Sequence, residues 1–270
     1  MLQFGVPNQA DYSLLDRPEI LQLVFYPRMG WQPPPPRATD HWVPVAEGIS
    51  VSCRLYPAGE SSPNILFFHG NGEIVTDYDW LAPEYNRLGI SLFVAGYRGY
   101  GLSGGRPTFS TMVADAHAIF NYLGHALRPR HSGPLLVMGR SLGSYSALEL
   151  ASHYPEQLAG LIVESGIANP GRLLSLLGGD IPASRLEDLE RANLERLRSI
   201  SLPVLIIHGE RDELIPYSQA VDFHRNVGSG AKRLVAIPGA GHNDLLFLGR
   251  EQYFSAIEGF VLGSQLTPSA

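Results

Sequence analysis

Leu135-Leu136-Val137-Met138-Gly139-Arg140-Ser141-Leu142-Gly143 joins an apolar run to a G-x-S-x-G element, and a helical stretch, Leu142 to His153, follows without a gap. A short, wholly apolar run of this kind reads as a strand buried on both faces. The pentapeptide alone is a weak signal, because glycine and serine are common. Between a strand and a helix it acquires a mechanical meaning: a sharp turn that projects a serine hydroxyl has little room for side chains two positions before and two after it. The N–H of Leu142, at the helix start, then faces the place where negative charge would develop.

Outward from this turn, short apolar runs alternate with longer helical stretches. The runs are Ile65 to Phe68, Ser91 to Ala95, Leu135 to Met138, Gly160 to Val163, Val204 to Ile207 and Arg233 to Ile237. Helices are expected at Tyr78 to Leu88, Ser110 to Leu127, Leu142 to His153, Tyr217 to Asn226 and Asp244 to Val261, the first with its start drawn toward Trp80 because Pro83 fits only an opening turn. This rhythm predicts an α/β fold with a mostly parallel sheet flanked by helices. Before it, Trp42 to Ala46 and Ile49 to Tyr56 read as a hairpin turning at Glu47-Gly48, so the sheet begins antiparallel. Residues 1–40 read as an irregular lead-in packed on the body through Ile20 to Tyr26, because Pro18, Pro27 and Pro33 to Pro36 interrupt any long helix. Residues 41–270 form the main domain. Within it, 165–201 is too long for an ordinary connection and carries the apolar stretch Leu173 to Leu177 and a charged helix, Leu186 to Arg198. It reads as a cap insertion over the strand ends.

The chain has 270 residues, 44% of them hydrophobic and 17% charged, enough for one well-packed domain. Its net charge of −6 offers no basic excess, which argues against a nucleic-acid partner. No apolar run is long enough for a transmembrane segment, and Met1 to Asp16 lacks the pattern of a signal peptide. A soluble, cytoplasmic protein is expected. Cys53, the one cysteine, lies in an alternating strand pattern and reads as a small core residue.

A serine hydroxyl needs a base to take its proton and a carboxylate to orient that base. Asp212 follows the run Val204 to Ile207, and His242 follows Arg233 to Ile237 inside Pro238-Gly239-Ala240-Gly241-His242. The order Ser141, Asp212, His242 is the one expected on an α/β-hydrolase sheet. Glu164, ending an earlier run, is an alternative acid. His69-Gly70-Asn71-Gly72-Glu73 follows Ile65 to Phe68 and could supply the second oxyanion N–H, with Asn71 chosen and Gly72 next. Glu73 would oppose an oxyanion there, so it is expected to turn outward or to be held by a cation such as Arg98. His69 and His208 end strands beside glycines and read as bonded to loop backbone. Gly99-Tyr100-Gly101-Leu102-Ser103-Gly104 satisfies G-x-G-x-x-G, but the next acid, Asp115, falls inside a helical stretch rather than at a strand end. A turn-rich site loop explains it better than a dinucleotide.

Together, His69 to Gly72, Tyr97 to Gly104, Gly139 to Gly143, His208-Gly209 with Asp212, and Gly241-His242 resemble the α/β-hydrolase superfamily. The similarity is strongest to the prolyl-aminopeptidase-like and depalmitoylase-like serine hydrolases. Gly96 stands where relatives often carry aspartate. The resemblance implies nucleophile Ser141, acid Asp212, base His242, and oxyanion donors at Asn71 and Leu142, with no cofactor or metal. The expected activity is cleavage of a small-molecule carboxylic ester or thioester through an acyl-enzyme. Two alternatives are a serine aminopeptidase-like enzyme anchoring a substrate amine on Glu73 or Glu164, and a non-catalytic binding protein of the same fold.

Overall fold

The computed structural model describes residues 12–169, 171 and 183–263. Leu173 to Leu177 lies outside them. Eight strands form one sheet: β1 (Thr39–Ala46), β2 (Ile49–Tyr56), β3 (Asn64–Phe68), β4 (Ser91–Ala95), β5 (Leu135–Arg140), β6 (Gly160–Glu164), β7 (Val204–Gly209) and β8 (Lys232–Ile237). Their order is β1-β2-β4-β3-β5-β6-β7-β8, antiparallel at β1–β2 and β2–β4 and parallel from β4 through β8. This is the α/β-hydrolase architecture.

The helices are α1 (Pro18–Val24), α2 (Ala82–Arg87), α3 (Phe109–Tyr122), α4 (Ser144–His153), α5 (Ala183–Ser199), α6 (Ser218–Asn226), α7 (Leu245–Leu248) and α8 (Arg250–Gly263). Because side chains alternate along a strand, each apolar run feeds two layers. Leu66 and Phe68 of β3 and Val137 of β5 pack with α3 and α4, whereas Ile65, Phe67 and Met138 pack with α2 and α8. Strands that are apolar at every position are therefore buried on both sides, as the continuous runs required. Cys53 is buried in β2, where burial pushes its thiol up to about 12 and leaves it an inert packing residue.

Three expectations need correction. The lead-in is not irregular throughout: α1 forms because Pro18 sits at its start, where a missing N–H costs nothing, and β1 begins at Thr39. The single helix expected over Asp244 to Val261 is two, α7 and α8, separated at Gly249, where a Cβ would come within 2.3 Å of Ile237 Cγ2. The helix expected from Tyr78 begins at Ala82, behind a separate 3₁₀ turn, Val75–Tyr78.

β3 is followed by β4 on one side and β5 on the other, so the direction of winding reverses at β3. A crevice opens there at the carboxyl ends of β3 and β5, where α/β sheets place their ligands.

Candidate active site

Ser141 opens a short 3₁₀ turn, Ser141–Gly143, between β5 and α4. Its φ is 50°, a conformation that costs a non-glycine residue about 1–3 kcal/mol and persists only when the surroundings impose it. Those surroundings are the two glycines. A Cβ on Gly139 would lie 2.5 Å from the Gly143 carbonyl oxygen, and one on Gly143 would lie 2.1 Å from that of Phe68. The turn thus packs backbone against backbone, with the end of β3 directly beneath it.

The Ser141 Oγ lies 2.9 Å from His242 Nε2, and His242 Nδ1 lies 2.7 Å from Asp212 Oδ2. An ionised carboxylate can only accept, so Nδ1 carries the proton and Nε2 is left to accept from the serine hydroxyl. Asp212 also accepts from the N–H groups of Leu214 and Ile215, at 3.0 and 2.7 Å. Burial works to raise its carboxyl pKa. The hydrogen bonds from His208, His242 and Ile215 outweigh burial and hold Asp212 well below the ordinary carboxylate range.

His208 bonds to loop backbone as expected, and it also makes a contact with Asp212 that sequence reasoning missed. Its Nε2 donates to the Ile215 carbonyl at 2.7 Å and approaches Asp212 Oδ2 at 3.3 Å, so it braces both the acid and the loop carrying it. The available signal was His-Gly-x-x-Asp spacing at a strand end. His69 likewise bonds to loop backbone: its Nδ1–H donates to the Gly70 carbonyl, and burial lowers its pKa.

Glu73 is held by a cation, but by Arg140 at 2.7 Å rather than Arg98, whose guanidinium is spent on Asp115. Arg140 sits inside the G-x-S-x-G element and touches three other segments. It pairs with Glu73 after β3 and with Glu164 at the end of β6, at 3.0 Å, and it donates to the His242 carbonyl and to Asn243. Glu73 accepts further from Tyr78 and the Gly70 N–H, and Glu164 from Tyr253. Glu164 therefore does not meet His242; Asp212 does.

A cavity of about 530 Å³ opens over Ser141 and His242, with Asn71, Leu142, Leu23, Val24, Tyr26, Ile167, Leu214 and Ile215 among its lining residues. Ile167 is the contribution of 165–201 among the described residues. α5 packs on the helical layer, where Arg196 reaches Glu149 of α4 at 3.0 Å. The Gly99 to Gly104 loop buttresses the oxyanion-side loop: Tyr100 donates to the Asn71 side chain at 2.7 Å, and Tyr97 to the His69 carbonyl. Among the described residues, His117, Glu149 and His153 have donor spacing compatible with a metal, but they lie on α3 and α4 and line neither this cavity nor the smaller one beside Trp80. No helix among the described residues is long and apolar enough to cross a membrane.

The sequence profile of the serine aminopeptidase S33 family matches residues 59–178 and 186–247. An uncharacterised protein of Mycobacterium tuberculosis is 30% identical over 248 residues, covering 89% of this chain and 86% of that one. Human alpha/beta hydrolase domain-containing protein 17B is 30% identical over 229 residues, covering 80% and 73%. Among solved structures, the Pyrococcus furiosus esterase Pf2001 superposes with a TM-score of 0.72 at 18% identity, over 89% of this chain and 98% of that one, a likeness of fold. The chain is a hydrolase that belongs to the serine aminopeptidase S33 family of the α/β-hydrolase superfamily.

Proposed function

We infer that the protein is a serine hydrolase that cleaves a carboxylic ester or thioester. One observation carries this reading: Ser141, His242 and Asp212 form an unbroken hydrogen-bonded relay across three loops at the carboxyl edge of the sheet.

His242 Nε2 takes the Ser141 proton as Oγ attacks the substrate carbonyl. The resulting oxyanion is held by the backbone N–H groups of Leu142 and Asn71. Both residues line the cavity beside Ser141. Collapse of this intermediate breaks the bond to the alcohol or thiol, which leaves with the proton from His242. Water, deprotonated by the same imidazole, then attacks the acyl-enzyme and releases the acid. Asp212 keeps Nδ1 protonated and stabilises the imidazolium formed in both halves.

Ester or thioester chemistry is favoured over aminopeptidase chemistry by the state of the acids. An amine anchor needs a carboxylate free to take an ammonium, and the two acids weighed for that role, Glu73 and Glu164, are both engaged by Arg140 and a tyrosine; Glu213 also lines the cavity, and anilide substrates test it as an anchor. The largely apolar cavity lining points the same way. The test is steady-state turnover of p-nitrophenyl esters beside alanyl- and prolyl-p-nitroanilides, for wild type and S141A. Ester turnover that disappears in S141A is expected; anilide turnover without ester turnover would replace this reading with the peptidase.

A further inference from the structure

Part of the wall facing Ser141 comes from outside the family-matched sequence. The match begins at residue 59, yet Leu23, Val24 and Tyr26 line the cavity together with Leu142, Ile167, Leu214 and Ile215. This stretch is anchored from below. Ile20, Val24 and Phe25 are buried in the core, and Phe25 meets the Phe109 ring edge-on at 5.2 Å. Just before α1, Asp16 accepts from the first N–H groups of α3; just after it, the Arg28 carbonyl accepts from Gly101.

The wall is also keyed to the oxyanion-side loop by one side chain. The Asn71 amide donates through Nδ2 to the Val24 carbonyl, and its Oδ1 accepts from the Tyr26 N–H at 3.0 Å and the Tyr100 hydroxyl at 2.7 Å. Those contacts need a donor and an acceptor on one short planar group, which asparagine has and aspartate lacks. Arg28 adds a bond to the Gly72 carbonyl at 3.1 Å and a pair with Asp77. The residue chosen for the oxyanion N–H therefore also sets the distance between that N–H and the apolar wall.

Resting on the serine-hydrolase reading, we propose that Leu23 to Tyr26 is the acyl-selecting wall of the site, positioned by the Asn71 amide, and that it takes an apolar acyl chain. The residues it contributes to the lining, Leu23, Val24 and Tyr26, are aliphatic or aromatic. Leu23 and, from the loop after β7, Leu214 are exposed, at 42% and 58%, so one side of the mouth is an apolar track along which a chain can run, with Arg140, Glu213 and Asn243 also on the lining. Such a wall distinguishes chains by the methylenes it removes from water.

The experiment measures kcat/KM for p-nitrophenyl acetate, butyrate, octanoate and decanoate with wild type, L23W, L23A and N71D, each checked for Ser141 labelling by a fluorophosphonate. In wild type, kcat/KM is expected to rise with chain length. L23W should lower the octanoate-to-acetate ratio about tenfold, L23A should lower it by a smaller factor through the lost apolar contact, and N71D should flatten the series. L23A, a truncation at a half-exposed position, keeps the test decisive if tryptophan is not accommodated. An unchanged ratio in labelled variants overturns the proposal. So does an equal change on every ester of the series, acetate included, which would place the wall against the shared p-nitrophenol leaving group. Absence of labelling in wild type overturns the serine-hydrolase reading itself, a result distinct from either.

Discussion

Ser141 combines a left-handed backbone with a hydroxyl 2.9 Å from an imidazole, and the strain is sustained by neighbours that admit no other path. At this scale, removing the Oγ in S141A should leave the fold intact and abolish ester turnover. D212N should lower kcat by about 10³–10⁴-fold, because an amide permits the wrong imidazole tautomer; steady-state kinetics beside circular dichroism separate these effects from unfolding. Asp212 also makes a pH prediction. Its folded carboxyl titrates below its unfolded value, near 3.9, so its stabilisation is complete above about pH 5 and is lost as pH falls toward the folded value. Urea midpoints for wild type should therefore drop more steeply below about pH 4 than those for D212N. The meeting of Ser141, Asp212 and His242 was legible in the sequence because each lies in a loop directly after an apolar run. The partner of Glu73 and the reach of His208 were not, because both depend on where a loop turns back in space.

Among the elements, the elbow and the N-terminal helix carry the clearest consequences. G143A places a methyl against the Phe68 carbonyl, with no flexible side chain to yield, and should destabilise the protein by at least about 2 kcal/mol in a denaturant titration. D16A removes the carboxylate that accepts from Phe109 and Ser110 at the start of α3. It should cost about 0.5–2 kcal/mol by the same measurement, even though Thr108 still caps that helix locally. The inner strands β3 to β7 came through in the sequence because burial on both faces leaves no polar alternation to misread. Helix ends were harder: Gly249 breaks the last helix for the sake of Ile237, a neighbour distant in sequence, and α1 was hidden among prolines although Pro18 favours its start. A short helix whose stability comes from packing has no long periodic pattern to announce it.

For the molecule as a whole, the sheet brings the carboxyl ends of β3, β5, β6, β7 and β8 to one edge, and Arg140 ties four of the loops that leave it. Its contacts with Glu73, Glu164 and the His242 carbonyl are largely shielded from water. Removing the guanidinium in R140M would leave two carboxylates facing each other without a counter-ion and should cost about 3–5 kcal/mol; E73Q/E164Q in the same background should recover much of it in thermal or urea unfolding. The alternation of strands and helices made the fold class readable, and the order Ser, Asp, His made the site readable. Neither reveals that part of the cavity wall is drawn from the first thirty residues, since that depends on α1 and the residues after it packing in the same layer as α3. The central claim is that Ser141 is a nucleophile activated by His242. It is tested most directly by intact-protein and peptide mass spectrometry after treatment with a fluorophosphonate. A single adduct is expected on the peptide containing Ser141, absent from S141A and strongly slowed in H242A. A folded wild-type protein that takes up no adduct, or takes it up at another residue, would contradict the account.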